Sequence, residues 1–475
     1  METVEIALWI AGIIAFIFGT TYLLKRSKKA ETYYFVSLFR TKRFVPLLDR
    51  FTKHKRALNW FADIGLIMGF GAVAIDFLFC RKKQRIERIA IFFASSTALY
   101  VLIEVLSARF YFFQMLFQNP FTENWDAVAK ISFGVFGLAG TMTIILLAYG
   151  LFIVQSILAG KQACPGVAPI IPGVQIPNVP ITVPLHAWIS FVIILVLHEG
   201  MHGVLARKIR LTIKSTGLLL IGLFPVGAFV EPDEKQLQKE NEREQARVYA
   251  AGPAANLYAS MAITLMITVF FLAVTIPIFG GWANEIKQNS VAGVVITGVD
   301  QNIDICGEKY ANPAFGKLLP GMQILQVNDK NISFQEDVSN ELSNNRKKPF
   351  TMLLDVNGAL LLETITPNEL GLVRFEIEEK MNPGYIIPES FKLFSAVSNV
   401  LIDFFFWLIL LNFLIATVNF LPVVPFDGGK IAKIILLPYF GFLGMNKKET
   451  EKFIGRLFLW IVAGLLLLNA LPLLL

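Results

Sequence analysis

"ISFVIILVLHEGMHGVLAR", residues 189–207, reads as a membrane helix with three ionisable groups set into its interior. His198, Glu199 and His202 interrupt an apolar run that resumes behind them. A charged side chain at the centre of a bilayer costs about 3 kcal/mol unless it is paired, solvated or bound to something. Residues four apart on a helix stand one above the other on a single face, so His198 and His202 share one volume and Glu199 reaches it from the side. This is the HExxH arrangement, in which two imidazoles bind zinc and the carboxylate takes a proton from the attacking water. The chain has four histidines, and two of them fall at this spacing beside a glutamate. A pair of core histidines with a capping glutamate is the plainer alternative, and it does not require that coincidence.

The rest of the sequence suits lipid as the main solvent. Of 475 residues, 55% are hydrophobic and only 17% charged, against roughly 25% charged in a soluble domain. The net charge of +7 comes from Lys/Arg clusters at the ends of apolar runs, a pattern of cytoplasmic loops rather than of a nucleic-acid surface. Runs long enough to cross a bilayer occur at 5–24, 60–79, 89–107, 131–158, 186–206, 251–279, 394–421 and 456–475, which predicts about eight crossings of a polytopic α-helical membrane protein. The first is followed, not preceded, by positive charge and reads as a retained anchor. The basic stretch 25–57, the loop after the HExxH helix and the charged segment 231–247 fall on the cytoplasmic side. "RKKQRIER" at 81–88 then lands outside if the runs on either side of it both cross, so either it breaks the rule or one early segment is re-entrant.

Two pieces interrupt the membrane pattern. Residues 160–184 are rich in Pro and Gly and form a loop. Residues 285–380 alternate like strands between turn signals, the size of one small β-rich domain. Cys80, Cys164 and Cys306 are scattered without CxxC spacing and define neither a disulfide framework nor a zinc knuckle. A Cys164–Cys306 bridge is open only if both lie outside, and nothing but shared side favours it.

A catalytic zinc takes three protein ligands and leaves a position for water. His54 lies in the basic stretch and His186 three turns earlier on the same helix, so the third ligand is sought among carboxylates and thiolates at membrane depth. "NFLPVVPFDGGK", 419–430, places Asp427 after two prolines and before two glycines, residues that permit unwound backbone. Taken alone, this stretch reads equally as an ordinary helix-end turn with a solvated Asp.

HExxH on a membrane helix followed far downstream by N-x-x-P-x-x-P-x-D-G-G resembles the site-2 protease family of intramembrane zinc metalloproteases. Asn419, Pro422, Pro425, Asp427, Gly428 and Gly429 match that second motif. "AGPAANLYAS" at 251–260 is similar to the family's G-P-x-x-N segment. "PGVQIP" at 172–177 and "FPVGAFVEP" at 224–232 resemble segments of the branch containing the eukaryotic sterol-pathway protease, and "NPAFGKLLPGMQILQVNDKNI" at 312–332 resembles the central signature of a PDZ domain. The resemblance implies one zinc ion held by His198, His202 and Asp427, with Glu199 as general base. It implies that Asn256 and Asn419 position the substrate carbonyl or stabilise its oxyanion, although a buried Asn also often just ties helices together.

The chain divides, on this reading, into a membrane region of unassigned role (1–160), the first half of a protease core (161–284), a PDZ-like domain (285–385) and the second half of the core (386–475). Residues 216–230 resemble the family's re-entrant β-hairpin, whose edge could pair with an extended substrate segment; an interfacial loop or half-helix is the alternative. The implied activity is hydrolysis of peptide bonds in or near transmembrane segments of single-span membrane proteins. The active site would lie near the cytoplasmic side and the PDZ-like domain opposite. No clear carboxylate-binding loop stands near 290–300, so peptide capture by that domain competes with size exclusion or scaffolding. Rival functions are a membrane hydrolase acting on another bond, a transporter using the three groups as a proton relay, and a catalytically silent relative that binds and retains membrane proteins. Intact Glu199 argues against the last.

Overall fold

The computed structural model describes residues 3–474 except 27–29, 35, 118–124, 177–178, 180, 223, 307 and 345–347. Pro177, which ends the PGVQIP segment, lies outside the described residues, as do the side chains of Phe224, Pro225 and Val226.

The chain opens with helix α1 (Thr3–Arg26), strands β1 (Glu31–Tyr33) and β2 (Val36–Thr41), and the two-turn helix α2 (Val45–Phe51). Helices α3 (Lys55–Ile75), α4 (Arg85–Arg109), α5 (Tyr111–Phe117) and α6 (Asp126–Leu158) follow. The HExxH stretch forms α7 (Ala187–Lys208), then come β3 (Ile213–Ile221), β4 (Phe224–Pro232) and the single turn α8 (Glu234–Leu237). Helix α9 (Glu242–Phe270) runs on through wider turns into α10 (Gly281–Ser290).

The β-rich piece contains β5 (Val291–Gly298), β6 (Asn302–Ile305), β7 (Glu308–Ala311), β8 (Gln323–Val327), β9 (Lys330–Asn331), α11 (Gln335–Asn344), β10 (Phe350–Val356), β11 (Ala359–Ile365) and β12 (Glu376–Met381). Helices α12 (Glu389–Asn419), α13 (Asp427–Ile435) and α14 (Lys447–Ala470) close the fold.

Seven helical stretches among the described residues are long and apolar enough to cross a membrane, and they coincide with seven of the eight expected runs. The run at 5–24 forms α1 and is not one of those seven. Two of the seven do not run straight. In α3 the backbone reverses at Gly71, with φ 58° and ψ −143°. Arg243 pairs with Asp63 at 2.8 Å and lies 5.3 Å from the centre of the Phe79 ring, two residues that a straight helix would hold about 24 Å apart. Helix α6 reverses likewise at Gly137, and Thr141 donates to the Ala129 carbonyl at 3.3 Å. The reversal in α3 accounts for the basic loop at 81–88: Arg81 lies beside the start of α9, bridged to Glu242 at 2.8 Å. The early segment doubles back, and eight straight crossings are not what the chain makes.

The two reversals interlock. A Cβ at Gly71 would stand within 2.7 Å of backbone atoms of Val135 and Gly137, and one at Gly137 within 2.5 Å of the backbone at 68–70. Glycine is required at both places by positive φ and by lack of room. Beneath them the ring of Phe420 abuts Gly69 and packs edge-on to Phe70, so the N-terminal region supports the turn that leads to Asp427.

The hairpin β3–β4 belongs to a four-stranded antiparallel sheet ordered β1-β2-β3-β4. The outer edge of β3 is covered by β2 from the N-terminal region, and β4 keeps the free edge beside α7. Arg40 of β2 clasps the sheet through Glu31 at 3.1 Å and Glu231 at 2.7 Å. The charged segment 231–247 contains the single turn α8 and is helical again from Glu242 onward. Asn241 caps it by accepting from Glu244 N, and Arg243 and Arg247, four apart, both reach the buried Asp63.

The β-rich piece is a sheet ordered β11-β10-β8-β5-β12, with β9 on β8 and a separate β6–β7 hairpin. Its core gathers Val294, Ile324, Met352, Leu354 and Ile365. Cys164 and Cys306 are disulfide-bonded, with Cα atoms 5.1 Å apart, and Cys80 is free and buried. This is the pairing that the sequence left open without favouring it. The Pro/Gly loop after α6 and the β6–β7 hairpin are brought together by the fold, and no local spacing announces a bridge between segments 142 residues apart.

Candidate metal centre

Three segments build the centre. Helix α7 contributes His198 and His202, whose ring centroids lie 4.9 Å apart. Helix α12 ends at Asn419, residues 420–426 are non-helical, and Asp427 is the first residue of α13. That turn carries the carboxylate back to α7: Asp427 Oδ2 lies 3.2 Å from His198 Nε2 and 3.0 Å from His202 Nε2. The three ligand atoms fall within 4.8 Å of one another. Two imidazole nitrogens aimed at one carboxylate oxygen, all largely buried, form a donor set suited to zinc.

The third segment is α9, which presents Val248, Gly252 and Asn256 along one stripe at four-residue spacing. Val248 offers its carbonyl to His202 Nδ1 at 2.7 Å. The Asn256 amide stands 3.0 Å from His198 Nδ1, and its Oδ1 is buried without a partner. Rotating that amide by half a turn places Oδ1 on the imidazole and gives the orphaned oxygen an N–H donor; amide orientation is assigned from such networks. Both rings are then held through Nδ1–H, leaving both Nε2 lone pairs for a metal. Gly252 keeps the space clear, since a Cβ there would stand 2.4 Å from His202 Nε2 and 2.6 Å from His198 Nε2. The residues fit the metal.

Glu199 lies beside the histidines and accepts from the Val230 backbone N–H at 3.0 Å through Oε2. Its other oxygen has no protein partner among the described residues. The free edge of β4 is thereby fixed next to the carboxylate. Asn419 donates to the Ile415 carbonyl of its own helix at 2.9 Å, and among the described residues no hydrogen bond ties it to His198, His202 or Asp427. His186 lies at the far end of α7, 3.1 Å from Asp403, and takes no part. The Val248 carbonyl and the Val230 N–H are backbone groups, and no side-chain motif in the sequence marks them.

A family model described as peptidase family M50 matches residues 186–462, more than half of the chain. An uncharacterised protein of Methanocaldococcus jannaschii is 23% identical over 268 residues, 56% of this chain and 60% of its own length. The chain thus spans less than two thirds of that relative. The family match takes in both histidines, the stripe on α9 and the turn bearing Asp427, and the chain belongs to peptidase family M50, the site-2 protease family of metalloproteases.

Proposed function

We propose that this protein is an intramembrane zinc metalloprotease that hydrolyses peptide bonds in or near the transmembrane segments of single-span membrane proteins. The observation that carries the reading is the meeting of His198, His202 and Asp427 around one point, with Glu199 beside them and a free strand edge alongside. A bound Zn2+ would polarise the scissile carbonyl and make water a nucleophile near neutral pH.

The chain's own residues supply the rest. Glu199 Oε1 accepts the proton of the attacking water and passes it to the departing amine, while Oε2 stays held by the Val230 N–H. A substrate helix hides its carbonyls in internal hydrogen bonds and must unwind to be cut. The β4 edge offers such an unwound segment the backbone partners it loses, by strand addition, and β2 leaves β4 as the edge available. Asn256 holds the His198 ring rather than the substrate. The β-rich piece, joined to the membrane part by Cys164–Cys306, acts as a PDZ-like filter of bulky substrates on the side opposite the site. The basic stretch 25–57 that leads into α3 supports a cytoplasmic place for the site's end of the bundle.

The test is cleavage of a model single-span protein by the purified chain in lipid, with zinc measured by elemental analysis. The expected result is stoichiometric zinc and cleavage lost in Glu199→Gln. Absence of zinc together with unchanged cleavage by Glu199→Gln would sink the proposal.

A further inference from the structure

On the end of the bundle where α3 and α9 begin lies a cavity of about 210 Å³ whose walls include Arg56, Trp60, Asp63, Phe79, Arg243 and Arg247. It exists because α3 doubles back, which sets Phe79 across from Trp60. Its charges do not balance. Arg247 binds Asp63 in fork geometry, with both bonds at 2.7 Å, and also reaches Glu244. Lys208 pairs with the same Glu244 at 2.6 Å. Arg243 shares Asp63 through Nη2, yet its Nε is buried without a hydrogen-bond partner. Arg56 is exposed and has no ion pair among the described residues. Of the groups that line the cavity, three guanidiniums thus face one carboxylate, Asp63. The rim is aromatic and open, with Trp60 64% and Phe79 49% exposed, as suits the boundary between headgroups and acyl chains.

We propose that this cavity binds the phosphate headgroup of an anionic phospholipid, with Arg56 and the partly exposed guanidinium of Arg243 on the phosphate oxygens and the acyl chains leaving past Trp60 and Phe79. Guanidinium forks suit phosphate, and basic pockets between membrane helices are recognised headgroup sites. The site reaches the metal centre through two short covalent paths. Arg247 precedes Val248, whose carbonyl holds His202, and Lys208 ends the helix that bears both histidines. Occupancy therefore braces α7 against α9 where the imidazoles are oriented. The inference does not depend on catalysis, because binding is read without it.

The full chain in a neutral detergent is titrated with short-chain phosphatidylglycerol, with the phosphatidylcholine of equal chain length, and with inorganic phosphate, following the thermal unfolding midpoint. A saturable rise is expected with phosphatidylglycerol alone. Arg56→Gln, a surface change that leaves every ion pair intact, should weaken that apparent affinity about fivefold. Arg56→Gln with Arg243→Gln should abolish it. An equal rise with phosphatidylcholine, or a phosphatidylglycerol response unchanged in Arg56→Gln, overturns the proposal. A rise of the same size with inorganic phosphate that competes with the lipid overturns the lipid assignment and makes the ligand a free phosphate.

Discussion

Val230 on the free edge of β4 donates its backbone N–H to Glu199 Oε2 at 3.0 Å, so the strand edge and the carboxylate proposed as acid-base group are fixed to each other. The contact divides Glu199 into an anchored oxygen and a working one. Val230→Pro removes the donor at an edge position, where proline is tolerated because no ladder bond is lost. A charge-assisted hydrogen bond contributes about 1.5–3 kcal/mol, so turnover should fall roughly ten- to hundredfold with the zinc content unchanged. Glu199→Gln should cost more, on the order of 10²–10⁴. Side-by-side cleavage rates and metal analysis check the order of the two variants.

Metal retention should depend on the α9 stripe. Asn256→Ala leaves His198 Nδ1 without its partner, and loss of such a support costs about 10–100-fold in metal affinity. Asn256→Asp keeps an acceptor for Nδ1–H and should restore most of it. Gly252→Ala should be the harsher change, because its methyl would stand 2.4 Å from one Nε2 and 2.6 Å from the other. Competition against a zinc chelator ranks the three. Retention of wild-type affinity by Gly252→Ala would show that the rings do not converge as described.

Much of this centre was legible in the sequence, and the reason is physical. Two ligands four residues apart need only a helix to meet, whereas Asp427 stands out through its resemblance to a family motif, since its Pro/Gly setting alone suits an ordinary helix-end turn as well. The partners of the ligands were half legible. Asn256 and Gly252 lie in a motif, whereas the Val248 carbonyl and the Val230 N–H are backbone groups that any residue could supply. The N-terminal region was opaque for a different reason. The reversals at Gly71 and Gly137 each turn on one glycine inside an apolar run, and hydropathy counts length without seeing a turn. Likewise, β2 pairs with a strand that begins more than 170 residues later, and nothing local to 36–41 foretells that partner.

The interlock of Gly71 and Gly137 makes a prediction about stability. Alanine at either position must adopt positive φ and intrude on the other's backbone, which together should destabilise by roughly 3 kcal/mol or more. Gly12→Ala, where a Cβ would meet nothing within 4 Å, serves as the control. The yield of monodisperse protein and its unfolding midpoint should drop for the first two variants and not for the third.

The disulfide fixes the thiol count and the attachment of the β-rich piece. Denatured without reductant, the protein should take one maleimide, on Cys80, and after reduction three. Reduction in the native state, or Cys164→Ser, should raise hydrogen exchange in residues 160–176 and in the β6–β7 hairpin. Exchange in α7 and α9 should stay as it was, since neither helix is tethered through that bond.

The Arg40 clasp should open with acid. The Ser215 hydroxyl, bonded at 2.8 Å, and then Arg40 hold the Glu231 carboxyl below its ordinary value of 4.5, against a smaller desolvation effect in the other direction. A carboxyl whose folded value is depressed contributes stability that is complete above its unfolded value and lost as pH falls through the folded one. Attachment of β1 and β2 to β3 should therefore be flat from pH 7 down to about 4.5 and weaken below it. Arg40→Gln should loosen the same strands already at neutral pH and flatten the acid transition. Because Arg40 and Glu231 are partly exposed, the effect should also shrink in high salt. Hydrogen exchange of residues 31–41 across pH 3–7, in the wild type and in Arg40→Gln, measures it; an acid transition of equal size in both would show that Glu231 is not its origin.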